Sequence, residues 1–295
     1  MNYSKKIILT GASGLIGKQA ISFLLNDGFE IYAITSKNPP DSTNQLQWVQ
    51  ADLFNHKAID KLFAQIAPEY LLHFAWCASG DYLISDDNYK FLESSLNLLK
   101  AFQENGGKKV VMAGTCFEYA FKNISLLESD ALDPQTPYAK CKNELREKAE
   151  KFCLENDLSF TWGRIFYVYG ENENELRLTP QVINSLKNDK KIVIGAGPLI
   201  KDYIYTKDIA AAFVKTLQSD VKGCVNICTG EGITIKDYTK KIAEKLGKEH
   251  LLEFKDNCSN QPQIFVGDNT KLKNEVGYEI KYSLDEALSQ IIRNK

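Results

Sequence analysis

The sequence has no long hydrophobic run, no histidine cluster and no excess of one charge. Its 295 residues carry a formal net charge of -2, which leaves no basic field for nucleic acid or anionic lipid. Three histidines lie far apart, and seven cysteines show neither a CxxC pair nor the Cys/His spacing of a metal site. The apolar run at residues 7–9 is too short for a signal peptide or a membrane span. These absences predict a cytoplasmic protein with reduced cysteines and with no metal, nucleic-acid or membrane partner.

What the sequence does have is a regular alternation of short apolar and longer amphipathic segments. KKIILTG, EIYAITS and KKVVMAGT have the composition of buried strands, whereas residues 15–26, 88–105 and 138–156 have the pattern of helices. Strands that alternate with helices predict an α/β protein built on a doubly wound parallel sheet. Such a sheet binds its ligands at the carboxyl ends of the strands.

A glycine-rich turn follows the first predicted strand. Gly11 permits the tight turn, Gly14 lets the backbone approach a pyrophosphate, and Gly17 lets the helix pack on the strand. The helix N-terminus adds free N–H groups and the positive end of the helix dipole. The pattern predicts a Rossmann-type dinucleotide site. The expected contacts of the turn are Gly11, Ser13, Gly14, Leu15, Ile16 and Gly17.

The residues at the ends of the second and third strands indicate which dinucleotide binds. The second strand ends in ITSKN without the acidic residue that would hold ribose hydroxyls, since Glu30 lies at its start. Ser36 and Lys37 suit a 2′-phosphate instead, which favours NADP(H) and leaves NAD(H) possible. After the third strand, Asp52 and its neighbour Leu53 are expected at the adenine. Asp52 could also cap the next helix, a role that does not exclude the first.

Two Tyr–Lys pairs are spaced by four residues, Tyr138–Lys142 and Tyr203–Lys207. The alternation in DYIYTK predicts a strand, on which positions four apart are separated by about 13 Å at about 3.3 Å per residue. Two prolines precede Tyr138 and predict a helix start, and on a helix the same spacing brings side chains within about 5–6 Å. Only Tyr138–Lys142 can then place an ammonium beside a phenol. That charge would lower the phenol pKa and prepare Tyr138 for acid–base chemistry.

The segments TGASGLIG, ADLF, HFAW, GTCFEYA and YAKCK occur in the order seen in one enzyme family. In this combination the chain resembles an extended (atypical) short-chain dehydrogenase/reductase of the NAD-dependent epimerase/dehydratase family, over nearly its whole length. The resemblance implies that Tyr138 is the proton donor or acceptor, and that Lys142 tunes it and holds the nicotinamide ribose. It also implies that Thr115 hydrogen-bonds the substrate oxygen as charge develops. Further cofactor contacts implied by the resemblance are Ala75, Trp76 and Ile165.

The branch that the chain resembles acts on nucleotide-activated sugars. Its 4,6-dehydratases carry Asp and Glu directly after the catalytic Thr, where this chain has Cys116 and Phe117. Its 3,5-epimerase–reductases carry Cys where Phe117 stands, and a later His, but no histidine lies between residues 73 and 250. Both reactions are therefore disfavoured.

Two reactions remain. One is the NADPH-dependent reduction of the 4-keto group of a nucleotide-activated 6-deoxy or 3,6-dideoxy sugar, in surface-polysaccharide biosynthesis. The other is 4-epimerisation with retained NAD. A non-catalytic dinucleotide-binding regulator is disfavoured because Tyr138 and Lys142 are both present. A reductase of small carbonyls is disfavoured because the region after residue 170 is long.

The substrate site departs from the usual family pattern. Tyr167 stands where the family has Asn, Lys201 stands where it has Arg, and Phe91 alters a helix motif. Near the end a common Arg is missing, which leaves Gln261 or Gln263. Residues expected at the sugar or nucleotide are Cys116, Phe117, Tyr167, Arg177, Lys201 and Tyr82, with Tyr203 as a further candidate.

The resemblance also implies a division of the chain and an assembly. We expect residues 1–165 and 202–230 to form the dinucleotide-binding domain. Residues 166–201 and 231–295 would form a smaller C-terminal substrate-binding lobe. We also expect a homodimer through the helices at 88–105 and 138–156, although the apolar stripe of the second helix could equally pack on its own sheet.

Overall fold

The computed structural model describes residues 5–77, 80–120, 122, 124–195, 199–255 and 264–295. Gln261 and Gln263 lie outside these residues. Among the described helices, none is both long and apolar enough to cross a membrane.

The described strands and helices alternate through the first half of the chain. The strands are β1 (Lys5–Thr10), β2 (Phe29–Thr35), β3 (Leu46–Gln50), β4 (Tyr70–His73), β5 (Lys109–Thr115), β6 (Ser159–Ile165), β7 (Tyr167–Tyr169), β8 (Ile192–Ile194), β9 (Ile200–Lys201), β10 (Tyr203–Tyr205), β11 (Gly223–Ile227), β12 (Ile233–Thr234), β13 (Leu252–Phe254) and β14 (Ile264–Phe265). The helices are α1 (Gly17–Asn26), α2 (His56–Ile66), α3 (Asp87–Glu104), α4 (Pro137–Glu155), α5 (Leu178–Lys187), α6 (Thr206–Gln218), α7 (Ile235–Leu246), α8 (Thr270–Asn274) and α9 (Leu284–Arg293). Two short 3₁₀ turns lie at Cys116–Glu118 and Glu249–Leu251.

Seven parallel strands form the central sheet in the order β11-β6-β5-β4-β1-β2-β3. Every residue of β5 is buried, because helices cover both faces of the sheet. One apolar cluster packs α1 and α6 on one face, and a second packs α2, α3 and α4 on the other. The strand order reverses between β1 and β4, and such a reversal is where a doubly wound sheet opens a crevice for ligands.

The second half of the chain adds small sheets and a separate apolar cluster. β7 pairs with β10, β8 pairs with β13, and β9 lies between β12 and β14. The cluster formed by α5, α7 and α9 includes Tyr203 and Tyr238, whose rings are stacked 4.0 Å apart. Leu272, Val276 and Tyr278 pack instead on the cluster that contains α6. The division of the chain into two domains at the boundaries given above stays a prediction.

The segment RIFYVYG is divided between two sheets, because β6 ends at Ile165 in the central sheet and β7 pairs with β10. One local prediction is corrected: DYIYTK is not one strand, since β10 ends at Tyr205 and α6 begins at Thr206. The alanine-rich run that follows favours helix, so Lys207 lies in the first turn of α6. The strand geometry used for the Tyr203–Lys207 separation therefore does not apply.

The apolar stripe of α4 faces its own sheet. Leu145 and Ala149 are fully buried in the cluster that α4 shares with α3, and Phe152 packs against it. This stripe is therefore not free to contact a second copy of the chain.

Candidate active site

The glycine turn after β1 is packed so tightly that side chains do not fit. Gly11 has a φ of +68°, and a Cβ there would lie 2.8 Å from the Ala75 nitrogen. A Cβ on Gly17 would lie 2.1 Å from the Gly11 carbonyl oxygen, while the Gly14 nitrogen donates a hydrogen bond to that oxygen at 2.9 Å. Main-chain groups and the N-terminus of α1 therefore form this wall of the site. The wall suits a dinucleotide phosphate.

Replacing Gly17 with alanine should disrupt this turn. The new Cβ would meet backbone atoms, which cannot move aside as a flexible side chain can. We expect a loss of stability of about 1–3 kcal/mol in chemical denaturation, together with weaker dinucleotide binding by titration. Gly195→Ala is the matched control, because its Cβ would meet nothing within 4 Å. Equal stability of the two variants would contradict the packing argument.

A cavity of about 680 Å³ opens at the carboxyl ends of the sheet strands. It joins the glycine turn to α4 and to the residues expected at the substrate. Predicted site residues that line it are Gly11, Gly14, Leu15, Ile16, Gly17, Ala75, Trp76, Tyr82, Thr115, Cys116, Phe117, Tyr138, Lys142, Ile165, Tyr167, Arg177, Lys201 and Tyr203. Predicted site residues outside the lining are Ser13, Ser36, Lys37, Asp52 and Leu53.

Ser36 and Lys37 are exposed just past the end of β2. Thr35 links them to the glycine turn, because its hydroxyl lies 3.3 Å from the Ser13 hydroxyl and accepts a hydrogen bond from the Lys37 nitrogen at 3.2 Å. The two residues therefore lie beside the turn, with their side chains free to reach an anionic group.

Asp52 does not cap the helix that follows it. Its carboxylate accepts a hydrogen bond from the Phe54 nitrogen at 3.0 Å, whereas Asn55 caps α2 through the Ala58 nitrogen at 3.2 Å. The capping alternative is therefore wrong. Asp52 is exposed, while Leu53 packs on the apolar cluster beside α2 and α3.

Thr115 and Tyr138 meet at the base of the cavity. Thr115 is the last residue of β5, and Tyr138 is the second residue of α4, which begins where the Thr136 hydroxyl accepts a hydrogen bond from the Ala139 nitrogen at 3.2 Å. Thr115 lowers the pKa of the Tyr138 phenol, against the larger effect of burial, so the two side chains lie close to each other. A hydroxyl and a phenol at one point can hold and protonate the same substrate oxygen.

Lys142 lies one turn further along α4, where its ammonium contacts a backbone carbonyl and an aromatic ring. The Lys142 Nζ donates to the Ala113 carbonyl at 2.9 Å and lies 3.8 Å from the centre of the Trp76 ring. Burial lowers the pKa of Lys142 to about 7, against the opposing charge of Glu118. Burial raises the pKa of Tyr138, and the neighbouring Thr115 side chain opposes that rise. The lowering of the Tyr138 pKa by Lys142 stays a prediction.

The Trp76 ring, which contacts the Lys142 ammonium, is held in place by residues of α3. Its ring stacks on Phe91 at 5.4 Å, and its Nε1 donates to the Asn88 side chain at 2.7 Å. Asn88 in turn donates to the Tyr82 carbonyl at 2.7 Å. Phe91, which alters a family motif, therefore supports Trp76 rather than lining the cavity.

A buried ion pair supports the end of β5. Glu118 accepts hydrogen bonds from the Thr115 nitrogen at 2.9 Å and from Arg164 Nε at 2.8 Å. The Trp162 Nε1 also donates to it at 3.0 Å. Glu118 is 0% exposed to solvent and Arg164 is 1% exposed. This network holds Thr115 in place by hydrogen bonds that cross from β5 to β6.

Aromatic and cationic side chains form the far side of the cavity. The Tyr82 ring contacts the Tyr138 ring edge-on at 5.0 Å, and the Arg177 guanidinium lies 5.6 Å from the centre of the Tyr82 ring. The Lys201 ammonium lies 4.2 Å from the centre of the Tyr167 ring. Cys116 is buried beside them, and burial raises the pKa of its thiol. This side combines flat apolar surfaces with two cations, a composition that suits a nucleotide diphosphate.

Comparison with known proteins identifies the family. A family model described as the NAD dependent epimerase/dehydratase family matches residues 7–228. The chain belongs to this family. The predicted membership is confirmed, and the glycine turn is the part of the site that fits the dinucleotide named in the family description.

Three proteins indicate the range of its relatives. A UDP-glucose 4-epimerase of Bacillus subtilis (strain 168) is 27% identical, with 95% of this chain and 94% of the relative covered. A dTDP-4-dehydro-6-deoxyglucose reductase of Escherichia coli is 25% identical, with 98% and 96% covered. The solved structure of a UDP-glucose 4-epimerase from Thermotoga maritima with UDP-glucose has a TM-score of 0.89 at 23% identity, with 98% and 97% covered. This structural likeness confirms the predicted Rossmann-type fold.

Some residues of this family member were not predicted at the site. The cavity lining also includes Glu173, Asn174 and Thr179, which lie between β7 and the start of α5. The polar run NENEL has the composition of an ordinary surface loop, so it carries no sequence signal for a buried site residue. Glu118 and Arg164 were missed for a related reason, since their pairing depends on two strands meeting side by side.

Proposed function

We propose that this chain reduces the 4-keto group of a nucleotide-activated 6-deoxy or 3,6-dideoxy sugar with NADPH. The observation that supports the proposal is one continuous cavity that is lined both by the glycine turn and by the neighbouring Thr115 and Tyr138 side chains. Cys116 and Phe117 follow Thr115, so no acidic pair stands there to perform a dehydration. The site would therefore transfer one hydride and one proton to the substrate.

The roles of the residues follow from their positions. The dinucleotide supplies the hydride when bound. Tyr138 donates the proton to the C4 oxygen, and the Thr115 hydroxyl hydrogen-bonds the same oxygen as negative charge develops on it. Lys142 would hold the nicotinamide ribose from its position below Trp76. Arg177 and Lys201 would bind the diphosphate of the sugar nucleotide, since both cations line the cavity.

The test is incubation of the purified protein with a panel of nucleotide 4-keto-6-deoxy sugars and NADPH. We expect NADPH oxidation that depends on the sugar, and a product with a new hydroxyl at C4 by NMR. No oxidation with any member of the panel would overturn the proposal. The same would follow if the protein interconverted 4-hydroxy sugars without added cofactor.

A 4-epimerase with retained NAD is the second candidate. Its support is the Bacillus subtilis relative, which is a UDP-glucose 4-epimerase and is matched over 95% of this chain. An epimerase oxidises and then reduces the same carbon, so it keeps its dinucleotide through the cycle. Release of tightly held NAD from the denatured protein would favour this candidate over the reductase.

The preference for NADPH rests on Lys37 and Ser36, which lie beside the glycine turn. Replacing Lys37 with alanine should raise the KM for NADPH about tenfold and leave the KM for NADH nearly unchanged, because a charge-assisted bond to the 2′-phosphate contributes about 1.5–3 kcal/mol. Steady-state kinetics with both cofactors would measure the change. Lys61→Ala, an exposed lysine of α2, is the control. Equal effects of Lys37→Ala on both cofactors would argue against NADP(H).

Three further parts of the proposal concern organisation and context. We propose the two-domain division given above, with the catalytic cavity between the parts. We also propose a homodimer through α3 and α4, on which Tyr89 and Leu154 are exposed apolar side chains. The reaction would serve the synthesis of surface polysaccharides in the cytoplasm.

A further inference from the structure

Glu173 is a buried carboxylate that the proposed reaction does not use. It lies in the segment between β7 and α5, and its side chain is only 5% exposed. The Gly170 backbone and the Thr179 side chain lower the pKa of this carboxyl, against the larger effect of burial. Its Oε2 is buried without a hydrogen-bond partner among the described residues, and Glu173 lines the cavity.

A buried carboxylate oxygen without a donor is unfavourable. Leaving such an acceptor unsatisfied costs about 1–3 kcal/mol, and more when the group is charged. Burial raises the pKa of Glu173 to about 7, and the charge of Arg177 opposes the rise. The chain retains this group although an apolar residue would be easier to bury. That is expected where a ligand brings the missing donor.

The neighbouring Glu171 shows what a carboxylate with an internal role looks like. Its Oε2 is also unpartnered within the described chain, but its Oε1 accepts a hydrogen bond from the Tyr205 hydroxyl and lies 3.5 Å from the Lys207 ammonium. Glu171 does not line the cavity. Glu171 therefore pairs within the protein, whereas Glu173 lines the cavity.

The position of Glu173 along the cavity indicates which part of a ligand it meets. Tyr138 contacts Tyr82, the Arg177 guanidinium lies over the Tyr82 ring, and Arg177 acts electrostatically on Glu173. Glu173 also raises the pKa of Tyr203, after burial as the main cause. Glu173 and Arg177 belong to the same short segment before α5 and both line the cavity, so Glu173 is assigned to the side of the cation proposed for the diphosphate. A carboxylate repels phosphate oxygens, so the group that it binds must be a neighbouring donor.

We propose that Glu173 is a substrate-binding residue whose free oxygen accepts a hydrogen bond from a sugar hydroxyl next to the diphosphate of the nucleotide sugar. The inference rests on the proposed function, because it takes a nucleotide sugar as the ligand. Two hydroxyl-bearing rings flank a diphosphate, the pentose of the nucleoside and the transferred sugar. The shared chemistry is the hydroxyl donor, and the ligands used in the test separate the two rings.

The test is calorimetric titration of the wild-type protein and of Glu173→Gln with UDP, 2′-deoxy-UDP and UDP-glucose at pH 8, where the carboxyl is ionised. We expect Glu173→Gln to bind UDP-glucose about tenfold more weakly, because a hydrogen bond to a charged acceptor is lost. A similar loss with UDP but not with 2′-deoxy-UDP assigns the hydroxyl to the pentose. A loss confined to UDP-glucose assigns it to the other sugar.

Three controls keep the result interpretable. NADPH binding and thermal unfolding of Glu173→Gln should match the wild type, which shows that the cavity is intact. Glu171→Gln should bind all three ligands as the wild type does. Glu173→Met, which fills a similar volume without an acceptor, should weaken binding at least as much as Glu173→Gln. In turnover with a keto-sugar substrate, KM should rise about tenfold while kcat changes less than twofold.

Failure of this inference is distinct from failure of the proposed function. If the wild type binds UDP-glucose and both Glu173 variants bind it equally well, the inference is overturned and the proposed function stands. If the wild type binds none of the three ligands, the inference is overturned for uridine nucleotides, and the proposed function is then judged by NADPH oxidation with the panel of nucleotide 4-keto-6-deoxy sugars. Loss of NADPH binding in both Glu173 variants would also overturn the inference, since it would assign Glu173 a structural role.

Discussion

Replacing Tyr138 with phenylalanine should lower the turnover number by about 1000-fold and leave NADPH affinity within a few-fold of the wild type. The phenol is the one proton source proposed at the C4 oxygen, and positioned acid–base groups contribute about 10²–10⁴-fold to rates. Removal of one oxygen atom leaves the ring contacts with Tyr82 and Trp76 in place. Single-turnover measurements of NADPH oxidation would report the chemical step directly.

Tyr89→Phe is the matched control, since Tyr89 is an exposed tyrosine of α3 and should keep full activity. Thr115→Val tests the partner hydroxyl and should lower turnover by a smaller factor, because a hydrogen bond rather than a proton is lost. If Tyr138→Phe kept more than a tenth of the wild-type turnover, the catalytic assignment would fail. Another proton donor at the C4 oxygen would then be needed.

The parts of the site that could be predicted are those in which a short segment sets its own geometry. The glycine turn needs only the spacing of Gly11, Gly14 and Gly17 between a strand and a helix, and the structure has them in contact with one another. Thr115 and Tyr138 were predicted to act together from the resemblance to a family, and both line the same cavity in the structure. In the first half of the chain the order of strands and helices followed from periodicity, whereas after residue 170 the pattern loosens and DYIYTK proved to be divided between β10 and α6.

The parts that could not be predicted depend on neighbours distant in sequence. Lys142 was expected beside the phenol because four residues of helix bring two side chains close. In the folded chain its ammonium also contacts the Ala113 carbonyl and the Trp76 ring, which are distant in sequence and which the α4 pattern could not reveal. Glu173 was missed because its burial is decided by elements that pack over a polar loop. The residues next to Lys142 and Glu173 in the sequence do not reveal the distant residues that contact or bury them.

Replacing Arg164 with methionine should lower the free energy of unfolding by about 3–5 kcal/mol, the second large effect that the structure predicts. Glu118 would keep its charge in a site with no access to solvent, and its strongest partner, Arg164 Nε at 2.8 Å, would be gone. The guanidinium also donates to the Tyr119 hydroxyl at 3.0 Å and to the Glu128 carbonyl at 3.1 Å, so those acceptors would lose a donor as well. Urea denaturation monitored by circular dichroism would measure the loss.

A double variant separates two contributions to the loss of stability, the unpaired charge of Glu118 and the lost packing of Arg164. Glu118→Gln combined with Arg164→Met removes both charges but keeps an acceptor for the Thr115 nitrogen, so it should regain about half of the lost stability. Lys148→Met is the contrast, because it breaks the exposed ion pair with Glu144 and should change stability by less than about 1 kcal/mol. A loss below about 1 kcal/mol for Arg164→Met would mean that solvent reaches Glu118. In that case the Glu118 network would not be what holds Thr115 against the end of β5.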